Sequence, residues 1–181
     1  MPFTIQANEP MLIISKVFED DRGYFFETYK KTDFEKIGIK EDFVQDNLSY
    51  SVQGVLRGLH YQMDPAAQGK LVMCLKGKVL DVTVDIRKGS PSYGKWRADV
   101  LTEKGGHMLY VPPGFAHGFL TLSKSAIFLY KCTKEYNPDA DRGIIWNDPE
   151  IGVDWQIKKP ILSLKDQKHP TLKDADNNFI Y

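Results

Sequence analysis

Apolar and polar positions alternate in short runs along this chain, and turn residues separate the runs. The clearest run is Val79 to Arg87. Leu80, Val82, Val84 and Ile86 point one way there, and Asp81, Thr83, Asp85 and Arg87 point the other. A period of two predicts a half-buried β-strand. Leu71 to Leu75 precedes it, and Lys76-Gly77 between the two predicts a hairpin. Turn signals recur at Asp20-Asp21-Arg22-Gly23, Val52-Gln53-Gly54, Met63-Asp64-Pro65, Gly89-Ser90-Pro91, Gly105-Gly106 and Pro112-Pro113-Gly114. Many short strands joined by such turns predict an all-β antiparallel sandwich or barrel. One short helix is expected from Asp33 to Ile37, with Thr32 and Glu35 at capping-box spacing and Gly38 as its stop. From about Pro160 the chain is polar and less regular, and it is expected to wrap the barrel.

Composition narrows the picture. Residues 1–181 suit one domain, and 42% hydrophobic residues suffice for a real core. The 24 basic and 24 acidic residues balance, which argues against nucleic acid as a partner. A small anionic ligand needs only a local cluster of cations and stays open. Cys74 and Cys132 form no CxxC pair, so they read as buried small apolar residues in a reducing compartment. No apolar run approaches the ~20 residues of a membrane span. The first residues show no basic region followed by an apolar run. A soluble cytoplasmic protein without a membrane partner is expected.

Two segments stand out chemically. One is Gly54-Val-Leu-Arg57-Gly58-Leu59-His60-Tyr61-Gln62; the other runs from Gly106 through Pro112-Pro-Gly114-Phe-Ala-His117-Gly118-Phe119. Their spacings, G-x5-H and G-x5-P-x-G-x2-H, resemble the two motifs of the cupin superfamily. That resemblance implies a double-stranded β-helix, or jelly roll, with a few short helices. Metal-binding cupins carry H-x-H and then a Glu in the first motif. Here Gln62 takes the second His position and no Glu follows. Two imidazoles without a carboxylate are a poor set for iron or manganese, so no metal is expected.

Further blocks make the resemblance specific. Val55-Leu-Arg-Gly-Leu-His-Tyr-Gln62, Gln68-Gly-Lys-Leu-Val72, Asp81-Val-Thr-Val-Asp-Ile-Arg87, Pro112 to Phe119 and Phe128-Leu-Tyr-Lys-Cys-Thr133 are similar to the dTDP-4-dehydrorhamnose 3,5-epimerase family. Asp21 to Glu27, Phe43 to Asn47, Trp146-Asn-Asp148 and Leu162 to Asp166 fit the same family in order. The resemblance implies cofactor-free inversion of a nucleotide-linked 4-keto-6-deoxy sugar at C3 and C5. The ketone acidifies the hydrogens at those carbons. A base removes one, and a proton returns on the other face. Such chemistry needs a base of near-neutral pKa, an acid opposite, and a cation beside the enolate oxygen.

By resemblance His60 is the base, Asp166 orients it and favours its protonated form, Tyr130 is the acid and Lys70 stabilises the enolate. Each has an ordinary alternative in a solvated Asp166, a core Tyr130 and a surface Lys70. Arg57 and Arg22 suit phosphate oxygens. Resemblance adds Glu27, Gln45, Asn47, His117 and Lys165 to the ligand shell, and assigns Tyr136 to stacking on the thymine. Asp141 stands where the family commonly has Glu. The family also implies a homodimer. Competing readings are a 3-only or 5-only epimerase, a 3,4-ketoisomerase, a metal cupin dioxygenase and a non-catalytic sugar-binding cupin.

Overall fold

The alternation resolves into strands in a computed structural model that describes residues 2–181. In chain order these are β1 (Phe3–Asn8), β2 (Met11–Ser15), β3 (Phe18–Asp20), β4 (Gly23–Phe25), β5 (Gln45–Val52), β6 (Leu56–Gln62) and β7 (Lys70–Lys76). Then come β8 (Lys78–Asp85), β9 (Trp96–Thr102), β10 (His107–Val111), β11 (Phe115–Thr121), β12 (Ser125–Cys132) and β13 (Asp141–Gly143). Among the described residues a single α-helix, α1, spans Lys31–Lys36, and a 3-10 turn spans Asp166–Lys168. One sheet has the order β1-β2-β10-β7-β12-β5, and the other the order β13-β6-β11-β8-β9. Strands β3 and β4 pair only with each other, as a ribbon. The all-β jelly roll expected from the cupin motifs is the fold observed.

The space between the two sheets holds one apolar cluster, with Val72, Cys74, Leu109, Phe128 and Ala126 from one sheet and Val79, Leu101, Phe115 and Phe119 from the other. A second cluster lies on the outer face of the five-stranded sheet. Leu56, Leu59, Tyr61, Leu80, Val82, Val84 and Ile86 pack there against Ile144, Trp155, Leu172 and Phe179. The irregular C-terminal stretch therefore does wrap the barrel. A third cluster covers the outer face of the six-stranded sheet, where Phe34 and Ile39 close over Ile13, Leu71, Met73 and Met108.

Three local expectations need correction. β7 and β8 do not form a hairpin, because they belong to different sheets. Gly77 carries the chain over the corner with φ +83, and a Cβ there would fall 2.2 Å from the Ser125 carbonyl oxygen. The β8 strand is not half-buried either. Its alternation is real, but Asp81, Thr83 and Asp85 are as buried as their apolar neighbours. The polar face lines the barrel interior and the apolar face lies under the C-terminal wrap. Finally, the helix starts at Lys31 rather than Asp33, with Lys30 at its N-cap and no side-chain cap. Thr32 is already helical, so the capping box does not form. Gly38 does end the helix, with φ +99 and its N–H donated to the Glu35 carbonyl.

One irregularity in β6 positions the functional side chains. His60 pairs with His117 of β11, and Arg57 pairs with Phe119. Three residue steps on β6 thus face two on β11, which is a β-bulge. In a regular strand, residues three apart face opposite ways. The extra residue turns Arg57 and His60 to the same inner face, and Leu56 and Leu59 to the same outer one. The strands approach closely at this point. A Cβ on Gly58, which has φ +133, would lie 2.5 Å from the Gly118 Cα; one on Gly118 would lie 2.7 Å from the Arg57 carbonyl oxygen. Gly118→Ala should therefore push β6 from β11 and destabilise the fold by about 1–3 kcal/mol, as overpacking does. Thermal melting checks this, and an unshifted midpoint would contradict the close approach.

Candidate active site

Between the sheets lies a cleft of about 220 Å³, lined by Arg57 and His60 of β6, Lys70 of β7, His117 of β11, Tyr130 of β12, and Lys165 and Asp166. An adjoining compartment of about 250 Å³ shares His60, Lys70 and Tyr130 with it and adds Gln45, Asn47, Tyr136 and Asp141. His60 projects from the five-stranded sheet. Lys70 and Tyr130 project from neighbouring strands of the six-stranded sheet, where Cys132 pairs with Lys70 and Tyr130 with Val72. The imidazole and the phenol thus stand on different walls.

Asp166 is buried, and its Oδ1 lies 2.6 Å from His60 Nε2. Burial alone would raise the Asp166 pKa, but the imidazoles of His169 and His60 outweigh it and hold the carboxyl well below the usual carboxylate range. For His60 the balance runs the other way from the sequence reading. Asp166 does pull its pKa up, but burial is the larger effect and the net shift is downward. A histidine so placed is neutral at neutral pH and ready to accept a proton.

Burial also lowers the Lys70 pKa and raises that of Tyr130. Tyr130 therefore stays protonated over the physiological range, and Lys70 releases its proton more readily than an exposed lysine does. A second imidazole–carboxylate pair lies deeper. His117 Nε2 stands 2.9 Å from each oxygen of Asp81, whose side chain is fully buried. Burial raises the Asp81 pKa.

The outer compartment is tied together by hydrogen bonds. The Tyr136 backbone N–H donates to Gln45 Oε1 at 2.7 Å, and its hydroxyl donates to Asp141 Oδ2 at 2.9 Å. Lys165 donates to the same Asp141 oxygen. Gln45 Nε2 donates to Asn47 Oδ1 at 3.0 Å. The shorter acid at position 141 thus reaches both Tyr136 and Lys165. The Tyr136 ring is 55% exposed, which leaves its face open for stacking. Arg57 Nε donates to Ser51 Oγ at 3.1 Å, which aims the guanidinium along the cleft wall.

Two expected ligand residues are not in this cleft. Arg22 sits in the β3–β4 ribbon, 90% exposed and paired with Asp20. Glu27 follows that ribbon, and among the described residues only its backbone carbonyl is engaged, by Ser15 Oγ. The ribbon joins neither large sheet, and among the described residues these two do not line the cleft of their own chain. Sequence reasoning also missed some residues that line it. Ser49 lies outside every motif block, and Ser163 lies inside the Leu162–Asp166 block without having been assigned a role. Asp81, expected on the polar face of a half-buried strand, is instead fully buried behind the cleft-lining His117.

His60, Asp166 and His169 bring three ligand-type atoms within 4.8 Å of one another. Two ligands on one tetrahedral zinc stand about 3.4 Å apart, given bonds of ~2.0–2.1 Å. The 2.6 Å between His60 and Asp166 is instead a hydrogen bond. Gln62, at the position of a cupin metal ligand, is engaged elsewhere. It donates to the Ala66 carbonyl at 2.7 Å and accepts from the Asn137 N–H at 2.9 Å, which fixes the turn bearing Tyr136.

Comparison with known proteins places the chain in a family. A family model described as dTDP-4-dehydrorhamnose 3,5-epimerase matches residues 4–174. A dTDP-4-dehydrorhamnose 3,5-epimerase from Shigella flexneri is 50% identical over 162 residues, covering 89% of this chain and 90% of that protein. The crystal structure of a dTDP-6-deoxy-D-glucose-3,5-epimerase from Legionella pneumophila, in complex with dTDP-4-keto-L-rhamnose, superimposes with a TM-score of 0.91 at 43% identity, covering 96% of this chain and 95% of that one. A more distant structure, a 3'-monoepimerase from Streptomyces bikiniensis in complex with dTDP-quinovose, gives a TM-score of 0.82 at 32% identity, covering 87% and 80%. On this agreement of sequence and fold, the chain belongs to the dTDP-4-dehydrorhamnose 3,5-epimerase family.

Proposed function

We propose that this enzyme epimerises dTDP-4-dehydro-6-deoxy-D-glucose at C3 and C5, giving dTDP-4-dehydro-L-rhamnose through an enolate and without a cofactor or metal. The observation that carries the reading is the cleft itself. A neutral, carboxylate-tethered imidazole stands on one wall, and a protonated phenol and a lysine stand on the other. His60 takes the proton from the carbon next to the ketone, and Asp166 stabilises the imidazolium that forms. Lys70 donates to the developing enolate oxygen. Tyr130 returns a proton from the opposite wall, which inverts the centre. The higher identity to 3,5-epimerases than to the 3'-monoepimerase supports inversion at both carbons.

In this reading Arg57, His117 and Lys165 hold the substrate in the inner cleft, and Gln45, Asn47, Tyr136 and Asp141 hold it in the outer one. Tyr136 stacks on the thymine. The chain acts as a homodimer in the cytoplasm. Support for the dimer comes from β5, an edge strand whose outer face exposes Leu48, Tyr50 and Val52, with Val44 just before it. Arg22 and Glu27 lie off the cleft of their own chain, so they fit a substrate role only from across such an interface. Among the described residues no helix is long and apolar enough to cross a membrane.

Because burial lowers the His60 pKa, the acid limb of kcat/KM should fall below the usual histidine value of about 6.5. Asp166→Asn removes the one strong influence that raises it. The limb should move to still lower pH, while the rate drops by ~10²-fold or more for want of imidazolium stabilisation. A pH–rate profile checks both. A limb that moves upward, or a rate within a few-fold of wild type, would remove Asp166 from this role.

Tyr130→Phe separates the two faces. The base is untouched, so the enolate still forms, but its proton returns from the side it left. In deuterated water this variant should place deuterium at C3 and C5 while yielding little epimer, as read by NMR. Exchange and inversion that stay coupled at the wild-type rate would show that Tyr130 is a core residue with no part in the chemistry.

A further inference from the structure

Asp166 faces a second imidazole that the mechanism above does not use. His169 Nε2 lies 3.6 Å from Asp166 Oδ1, the same oxygen that His60 contacts at 2.6 Å. The longer contact is beyond a full hydrogen bond but well inside electrostatic range. The His169 side chain is only 9% exposed, and its Nε2 is buried without a hydrogen-bond partner among the described residues. Its ring meets the His60 ring edge to face, with centroids 5.5 Å apart.

The seat of this ring is built into the sheet. Gly143 of β13 pairs directly with His60 of β6. Side chains of paired residues ordinarily stand ~4.5–5.5 Å apart on one face of a sheet. At this pair there is no side chain on β13, and a Cβ on Gly143 would fall 2.5 Å from both Cε1 and Nε2 of His169. The imidazole therefore occupies the space of the missing cross-strand neighbour of His60. The following residue is fixed too, since the Pro170 carbonyl accepts from the Ile145 N–H at 2.8 Å.

The other charged groups around His169 are engaged among themselves. Arg142 of β13 reaches Asp176 of the C-terminal wrap at 3.4 Å, and the Tyr61 hydroxyl of β6 donates to the Asp176 carbonyl oxygen at 2.6 Å. Lys165 is held by Asp141, and Asp174 accepts from Thr171 at 2.8 Å. Lys168 is exposed. The carboxylate left for His169 is that of Asp166.

We propose that His169 is a positioning residue that shares the Asp166 carboxylate with His60 and thereby limits how strongly His60 holds a proton. The inference rests on the reading of His60 as the base. Charge on His169 repels charge on His60, and its contact with Oδ1 draws carboxylate density from the His60 hydrogen bond. Both effects keep His60 in its neutral, proton-accepting form. They agree in sign with the downward pull of His169 on the His60 pKa.

The test is an NMR titration of the free protein, whose four histidines allow the His60 ring signal to be assigned by single substitutions. His169→Ala should move the His60 midpoint to higher pH. Gly143→Ala should do the same by displacing the ring, and it serves alone if His169→Ala fails to fold. In the double variant the two shifts should not add, because the displaced ring is already gone. The acid limb of kcat/KM should move upward with the midpoint, lowering the rate there by roughly three- to tenfold for a neighbouring-charge effect. An unmoved His60 midpoint accompanied only by a lower melting temperature would reduce His169 to a space-filler, and additive shifts would overturn the route through Gly143. If the wild type turns over no 4-keto sugar, the epimerase reading fails, and the titration still judges this proposal.

Discussion

A hydrogen bond between residues 106 positions apart ties the chemistry of this chain to its architecture. His60 belongs to the barrel, and Asp166 belongs to the C-terminal wrap. The wrap stays in place because Trp155, Leu172 and Phe179 bury the outer face of the five-stranded sheet. The apolar contact that completes the core thus also delivers the carboxylate. His60 can face that carboxylate only because the bulge in β6 turns Arg57 and His60 inward together. The bulge in turn needs the close approach of Gly58 and Gly118.

The cleft shows how a small barrel keeps polar groups inside. Buried charge is costly unless it is paired. The interior answers with two imidazole–carboxylate pairs, His60–Asp166 and His117–Asp81. The Lys70 ammonium makes no hydrogen bond or ion pair with the described residues, and burial lowers its pKa. Its ammonium is a cation in the cleft left to meet a substrate oxygen, as is the guanidinium of Arg57. Desolvation thus acts on three groups in the direction that proton transfer needs. It frees His60 of its proton, keeps Tyr130 protonated and loosens the proton of Lys70.

How far all this was legible in the sequence depends on where the cause of each feature lies. The period of two in β8 was legible, because side-chain alternation is a property of the strand itself. Its complete burial was not, because the cover comes from residues 144–181. Gly77 signalled a tight turn correctly, but the same residue serves a hairpin and a corner between sheets. Thr32 and Glu35 had the spacing of a capping box, yet the helix already begins at Lys31. The motif residues His60, His117 and Arg57 were visible through their glycine frames. Asp166 lay in a polar tail and was reached only through family resemblance. Glu27 came the same way and Arg22 through the phosphate chemistry of its guanidinium, and among the described residues a single chain does not bring either to the cleft. His169 left no signal, because its seat is the absence of a side chain at Gly143.

The central claim is that the two sheets hold a base and an acid on opposite faces of one sugar ring. A crystal structure with a dTDP-linked sugar analogue bound tests it most directly. The account predicts the pyranose between the walls, with His60 Nδ1, the ring nitrogen not bonded to Asp166, facing C3 and C5 from one side and the Tyr130 hydroxyl from the other. The Lys70 ammonium should lie beside the oxygen at C4. A sugar with His60 and Tyr130 on the same face, or one seated outside this cleft, would contradict it.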